Sequence, residues 1–225
     1  MFGSKVKVND FEDIIRQYES VPVQTGKILF YGHSLFTRCS FVSTAEPKNP
    51  LLEEEVRMKD GSQAIVNHGF GTSCADHLLY YYDRMVRAYK PRALVLATMC
   101  NDIANDYSNA EVMEILARIV NWAQADFPGI PIYCFGHFPY PKVYGPSTVR
   151  NDTAFNQFLE DFCNRTENCT YVDLRAQPFY YETPADVGDI KKVRADLFDP
   201  DQIHLNPTGY ALFMDFIREL LDDLL

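Results

Sequence analysis

The sequence predicts an α/β fold, a three-layer α/β/α sandwich built on a five-stranded parallel sheet. Three observations predict it. Five short apolar runs recur along the 225 residues. The runs are apolar throughout rather than alternating, which suits strands buried on both faces of a parallel sheet. Amphipathic helical stripes separate most of them, and strand–helix alternation calls for right-handed crossovers that lay helices over both faces.

A helix near Phe11 to Tyr18 precedes the first strand, the run Lys27–Tyr31 that ends at Gly32. The second run is Ala64–Asn67. Ser73 and Asp76 then form a start resembling a capping box, and Leu78, Leu79, Tyr82, Met85 and Val86 share one helical stripe. The third run is Ala93–Ala97. Ser108 and Glu111 make a capping box, followed by Val112, Ile115, Leu116, Ile119 and Ala123 on one face. The fourth run is Ile130–Phe135, and a helix is expected over Asn151–Cys163. The fifth run is Thr170–Leu174. Asn206 reads as an N-cap with Pro207 at the first helical position, and Leu212, Phe213, Phe216, Ile217, Leu220 and Leu221 line that last helix. The irregular segments 39–63 and 175–203 are expected to be lids, substrate walls or small insertions.

Composition narrows the function classes. Apolar residues are 47 % of the chain, enough for a real core. A net charge of −10 repels phosphate backbones and anionic lipid, so neither nucleic acid nor a membrane is an expected partner. No run is long enough to span a bilayer, and the charged N-terminal stretch lacks a secretory apolar region. A cytoplasmic protein is therefore expected, with Cys163 and Cys169 as free thiols although six residues of spacing would let them bridge. On that expectation the glycosylation sequons at Asn151, Asn164 and Asn168 are chance.

Ligands of open parallel sheets bind outside the carboxyl ends of the strands. The first strand delivers His33 and Ser34 there, the second Phe70, Gly71 and Thr72, the third Asn101, and the fourth His137 and Phe138. The loop before the last helix holds Asp201 and His204. Acyl transfer needs these residue types. A serine hydroxyl becomes a useful nucleophile when a base takes its proton, and an aspartate can hold that base in the right tautomer. Backbone N–H groups at Ser34, Gly71 and Thr72, with the Asn101 amide, could stabilise the oxyanion. His137, Phe70 and Phe138 are candidate substrate contacts. The aromatic run Tyr133 to Tyr144 reads as a strand end with a stiff loop, as a wall for an acyl pocket, or as a stacking surface for a sugar ring.

With these residues in place the sequence resembles the SGNH (GDSL-type) hydrolase family. The matching stretches are ILFYGHSL (28–35), VNHGFGTS (66–73), CNDIA (100–104) and DQIHLNPTGYALF (201–213). The resemblance implies a flavodoxin-like fold over one domain, residues 1–225, with residues 1–26 as a helical extension packed on it. It implies Ser34 as nucleophile, His204 as base, Asp201 as its partner and Asn101 as oxyanion donor. The implied function is a serine esterase that cleaves small acyl esters, with acetyl groups on carbohydrate as one candidate. No cofactor or metal is expected.

Three positions depart from the family pattern. His33 stands where Asp or Ser precedes the nucleophile, Thr72 stands at an oxyanion-turn glycine, and Met99 stands two residues before Asn101 in place of glycine. They motivate an alternative, a non-catalytic or weakly active binding module on the same fold. His68 and His77 are expected in a turn and on a helix surface. Cys134-x-x-His137 has the spacing of half a metal site, without a second ligand pair nearby.

Overall fold

The computed structural model describes residues 3–98, 101–142 and 146–225. The elements in order are α1 (Glu12–Glu19), β1 (Ile28–Gly32), α2 (Ser34–Thr37), α3 (Leu52–Glu55), β2 (Ile65–Gly69), α4 (Ala75–Met85), β3 (Ala93–Ala97), α5 (Asn109–Asp126), β4 (Ile132–Phe135), α6 (Pro146–Asn164), β5 (Cys169–Val172) and α7 (Pro207–Leu220). The five strands pair in the order β2-β1-β3-β4-β5, all parallel. The expected strands are present with boundaries shifted by at most two residues.

Successive side chains of a strand point to opposite faces, so each fully apolar strand feeds two cores. Leu29, Tyr31, Leu94, Leu96 and Ile132 pack with α1, α4, α5 and α6 on one face. Ile28, Phe30, Val95, Phe135 and Val172 pack with α2, α3 and α7 on the other. The caps of the two long helices follow the sequence. Ser108 and Glu111 form the capping box of α5, and Asn206 Oδ1 accepts from the Gly209 N–H at 3.0 Å to open α7.

The start of α4 corrects the expectation. Its N-cap is Cys74, one residue after Ser73. His77 Nδ1 accepts the Cys74 N–H at 2.9 Å, and the Asp102 carboxylate accepts the Ala75 N–H at 2.8 Å. Asp76 instead receives the Tyr107 hydroxyl. A partner reaching over from the β3 side thus joins the local one, His77, in place of Ser73 and Asp76. His68 and His77 are corrected as well, because both are buried. His68 lies in β2 between the rings of Tyr18 and Tyr89, its Nδ1 donating to the Met85 carbonyl at 2.7 Å. Burial lowers its pKa to about 4. The half-motif Cys134-x-x-His137 also separates. Cys134 Sγ lies 3.7 Å from Cys169 Sγ, which lies 3.3 Å from Cys163 Sγ, whereas His137 faces a pocket. Cys39, Cys74, Cys134, Cys163 and Cys169 are all free thiols, and Cys100 lies outside the described residues.

The short helix α2 is clamped where the strands end. A Cβ on Gly69 would stand 2.2 Å from the Thr37 nitrogen and 2.5 Å from the Phe36 carbonyl carbon, so only glycine lets α2 lie so close to β2. The orphan carbonyls of such a short helix need partners. Tyr210 of α7 donates its hydroxyl to the Leu35 carbonyl at 3.0 Å, and the Asn67 amide donates to the Phe36 carbonyl at 2.9 Å.

Candidate active site

Ser34 is the first residue of α2, immediately beyond the carboxyl end of β1. His33 caps that helix from an extended backbone, its Nδ1 accepting the Leu35 N–H at 3.3 Å. The imidazole of His33 is 3 % exposed. Burial first, and the neighbouring His204 second, lower its pKa to about 4, so it is neutral near pH 7. Its ring is spent on the helix cap.

The loop ahead of α7 brings the other two residues. Asp201 Oδ1 accepts the N–H groups of Ile203 at 2.9 Å and His204 at 3.0 Å, which folds the loop back on its own side chain. Asp201 Oδ2 accepts from His204 Nδ1 at 2.6 Å. That bond sets the tautomer and leaves Nε2 as an acceptor, 3.2 Å from Ser34 Oγ. Partial burial raises the Asp201 pKa, but the bonds from the His204 ring and the two backbone N–H groups outweigh it and hold the value at about 2. Arg38, one turn beyond Ser34, pairs with Asp199 at 2.5 Å and lies 3.9 Å from Asp201 Oδ2, tying the loop to α2.

A cavity of about 310 Å³ opens beside Ser34 and His204, lined also by Thr72, Asn101, His137, Phe138, Tyr140, Asp152, Ile103, Ala104 and Ile203. Gly71 lies on the other side of the serine, in a groove of about 510 Å³ that shares Ser34, Thr72 and His204 with the cavity. Thr72 adopts φ 63°, the left-handed region that glycine fills without strain. The Asn101 amide donates to the Ser73 carbonyl at 3.0 Å, which positions it and leaves its second N–H for a ligand. Met99 lies outside the described residues, as do Val143 and Tyr144 of the aromatic run.

Six of the expected site residues therefore line one cavity, Asp201 stands behind His204, Gly71 borders the serine from the neighbouring groove, and Phe70 does not reach the site. Phe70 is fully buried against Phe11, Tyr31 and Tyr81, so its expected role as a substrate contact is corrected to a core role. Asp152 and Tyr140 were not among the expected site residues. Tyr140 belongs to the aromatic run noted in the sequence. Asp152 carries no local signal, being one polar residue near the start of an amphipathic helix. Its side chain is almost fully buried, with Oδ2 3.6 Å from His137 Nδ1 and 3.4 Å from Arg175 Nη2. Burial raises its pKa to about 6, partly opposed by Arg175. Burial, Arg175 and His33 lower that of His137 to about 3.

A strand-end serine joined through histidine to aspartate, with amide donors beside it, is the equipment of a serine acylhydrolase. The model of the GDSL-like lipase/acylhydrolase family matches residues 30–212, and the chain belongs to that family. Solved structures share the fold. A GDSL-like lipase from Bacteroides thetaiotaomicron superposes with a TM-score of 0.70 at 14 % identity, covering 97 % of this chain and 100 % of that one. A variant of an acetyl-xylooligosaccharide esterase from Geobacillus Stearmophilus gives a TM-score of 0.62 at 18 % identity, covering 91 % and 96 %. A psychrotrophic esterase from Pseudoalteromonas sp. gives 0.60 at 18 % identity, covering 88 % and 97 %. No curated protein sequence matches the chain significantly. Among the described residues no helix is long and apolar enough to cross a membrane.

Proposed function

We propose that the protein is a serine esterase that removes small acyl groups, acetyl foremost, from a hydroxylated alcohol such as a carbohydrate. The observation that carries this reading is the unbroken contact chain Ser34 Oγ–His204 Nε2 at 3.2 Å and His204 Nδ1–Asp201 Oδ2 at 2.6 Å. His204 takes the Ser34 proton as Oγ attacks the ester carbonyl, and Asp201 stabilises the imidazolium that forms. The N–H groups of Ser34 and of the Gly71–Thr72 turn, with the Asn101 amide, receive the oxyanion. One such donor is typically worth about 3 kcal/mol in the transition state. His204 then gives its proton to the leaving alcohol, and water, deprotonated by the same ring, releases the acid.

The departures at His33 and Thr72 are compatible with turnover. His33 is buried and neutral, so it does not compete with His204 as base. Thr72 keeps its backbone N–H. The small cavity supports a short acyl chain, and the acidic surface disfavours anionic lipid substrates. One structural neighbour is an acetyl-xylooligosaccharide esterase, which supports testing a sugar alcohol. The decisive experiment is turnover of 4-nitrophenyl acetate at pH 8 by folded protein, with Ser34→Ala as control. Turnover lost in the control is expected. A folded wild type no faster than background supports the binding-module alternative instead, and faster cleavage of a long-chain ester than of the acetate overturns the short-chain preference.

A further inference from the structure

We propose that Asp152 is a substrate-selecting residue whose carboxylate accepts hydrogen bonds from the hydroxyls of a sugar ring seated in the cavity against Phe138 and Tyr140. The inference rests on the esterase reading and names the group that gives it specificity. A carboxylate is costly to bury unless it is paired and hydrogen-bonded. Asp152 is 5 % exposed and lines the catalytic cavity, yet neither of its charged neighbours bonds it well. Arg175 approaches Oδ2 at 3.4 Å and His137 Nδ1 at 3.6 Å, and His137 Nδ1 is itself buried without a hydrogen-bond partner.

The chemistry of this end of the cavity selects the ligand class. Arg175 already supplies a positive charge beside the carboxylate, so a cationic ligand is not required for neutrality. What the carboxylate still offers is acceptor capacity, which hydroxyl donors match. Phe138 and Tyr140 add ring surface, with centroids 5.8 Å apart, and the His137 ring stacks on Phe138. A carboxylate acceptor beside aromatic faces suits a neutral polyhydroxylated ring better than a plain alkyl chain, which brings Asp152 no hydrogen-bond donor. The cavity, about 310 Å³, admits one such ring next to Ser34.

The test compares two acetyl esters, 4-nitrophenyl acetate and a mono-acetylated methyl xyloside, in the wild type, Asp152→Ala and Asp152→Asn. Loss of hydrogen bonds to a charged acceptor predicts a fall of about 10- to 100-fold in kcat/KM on the xyloside, mostly through KM. The rate on 4-nitrophenyl acetate should stay within about threefold. Asp152→Asn preserves the side-chain shape, so a selective loss there excludes a general packing defect. Binding of xylobiose to Ser34→Ala, followed by NMR titration, should weaken when Asp152→Ala is added. Equal losses on both esters, or no loss on either, overturn the assignment. A wild type that cleaves the nitrophenyl ester but neither cleaves the xyloside nor binds xylobiose overturns it while the esterase reading stands. A wild type that cleaves neither ester overturns the esterase reading, and the xylobiose titration then decides the role of Asp152 by itself.

Discussion

At the scale of single residues, the proposed mechanism divides labour between groups that act together and groups that act alone. Ser34 and His204 form one unit, because neither the hydroxyl nor the base is useful without the other. Ser34→Ala and His204→Ala should each lower kcat on 4-nitrophenyl acetate by about 10⁴ or more, and the double variant should be little worse than either. Asn101→Ala should cost about 10²–10³ in kcat with little change in KM, since its amide meets charge that exists only in the transition state. A His204→Ala enzyme that keeps its rate while His33→Ala loses it would show that the base is misassigned. Thr72 illustrates a different compromise. Its φ of 63° holds a β-branched residue where glycine is relaxed. Thr72→Gly should therefore raise stability by about 1 kcal/mol while preserving the backbone N–H proposed as an oxyanion donor. Urea unfolding and steady-state kinetics check the two halves, and a destabilised Gly variant would mean that the Thr72 side chain contributes more than its backbone costs.

At the scale of elements, the position of Ser34 depends on how closely α2 lies on β2. Gly69 permits that approach, while Tyr210 from α7 and Asn67 from β2 satisfy the carbonyls of α2. Tyr18 of α1 in turn donates its hydroxyl to the Gly69 carbonyl at 2.5 Å, so an element ahead of the sheet also braces this corner. Gly69→Ala should push α2 away, costing about 1–3 kcal/mol of stability as an overpacked site does. It should also lower kcat, because Ser34 moves relative to His204, which is carried by a different loop. Thermal unfolding and ester turnover measured on one preparation test this. Wild-type values for both would mean that the strand ends yield more easily than the close contacts imply.

At the scale of the whole molecule, stability should depend on pH through a group remote from the chemistry. Glu53 of α3 borders a separate cavity of about 260 Å³ with Asn67, His68 and Tyr89. Its Oε2 is buried without a partner, and burial raises its pKa to about 7. In the unfolded chain the carboxyl titrates near 4.3. The folded state thus binds the proton more tightly, so this stabilising contribution is complete below about pH 4 and is lost as pH rises through about 7. Relative to Glu53→Gln, the wild type should lose on the order of 3 kcal/mol between pH 4 and pH 8. Urea unfolding of both proteins across that range measures the difference, and parallel profiles would remove Glu53 from the account.

The sequence by itself determined the strand set, the class of fold and the three residues of the contact chain. Those signals are local. A fully apolar run marks a doubly buried strand, Asn206–Pro207 marks a helix start, and Asp201 and His204 sit on one short loop whose backbone the aspartate organises. Tertiary structure decided what lies between such landmarks. Phe70 follows β2 directly and shares a stretch with Gly71 and Thr72, yet its ring turns under α1 and α4 while Thr72 faces the cavity. Adjacent residues leaving a strand point in different directions, and residue type does not say which is which. His77 became a buried cap because the ring of Phe11, from the segment ahead of α1, packs edge-on against it. Asp152 became a cavity residue only when α6 was laid against β5 and tied to the loop carrying His137. A lone polar residue near a helix start looks solvated in sequence. Its burial depends on elements more than ten residues away, and no local pattern records their arrival.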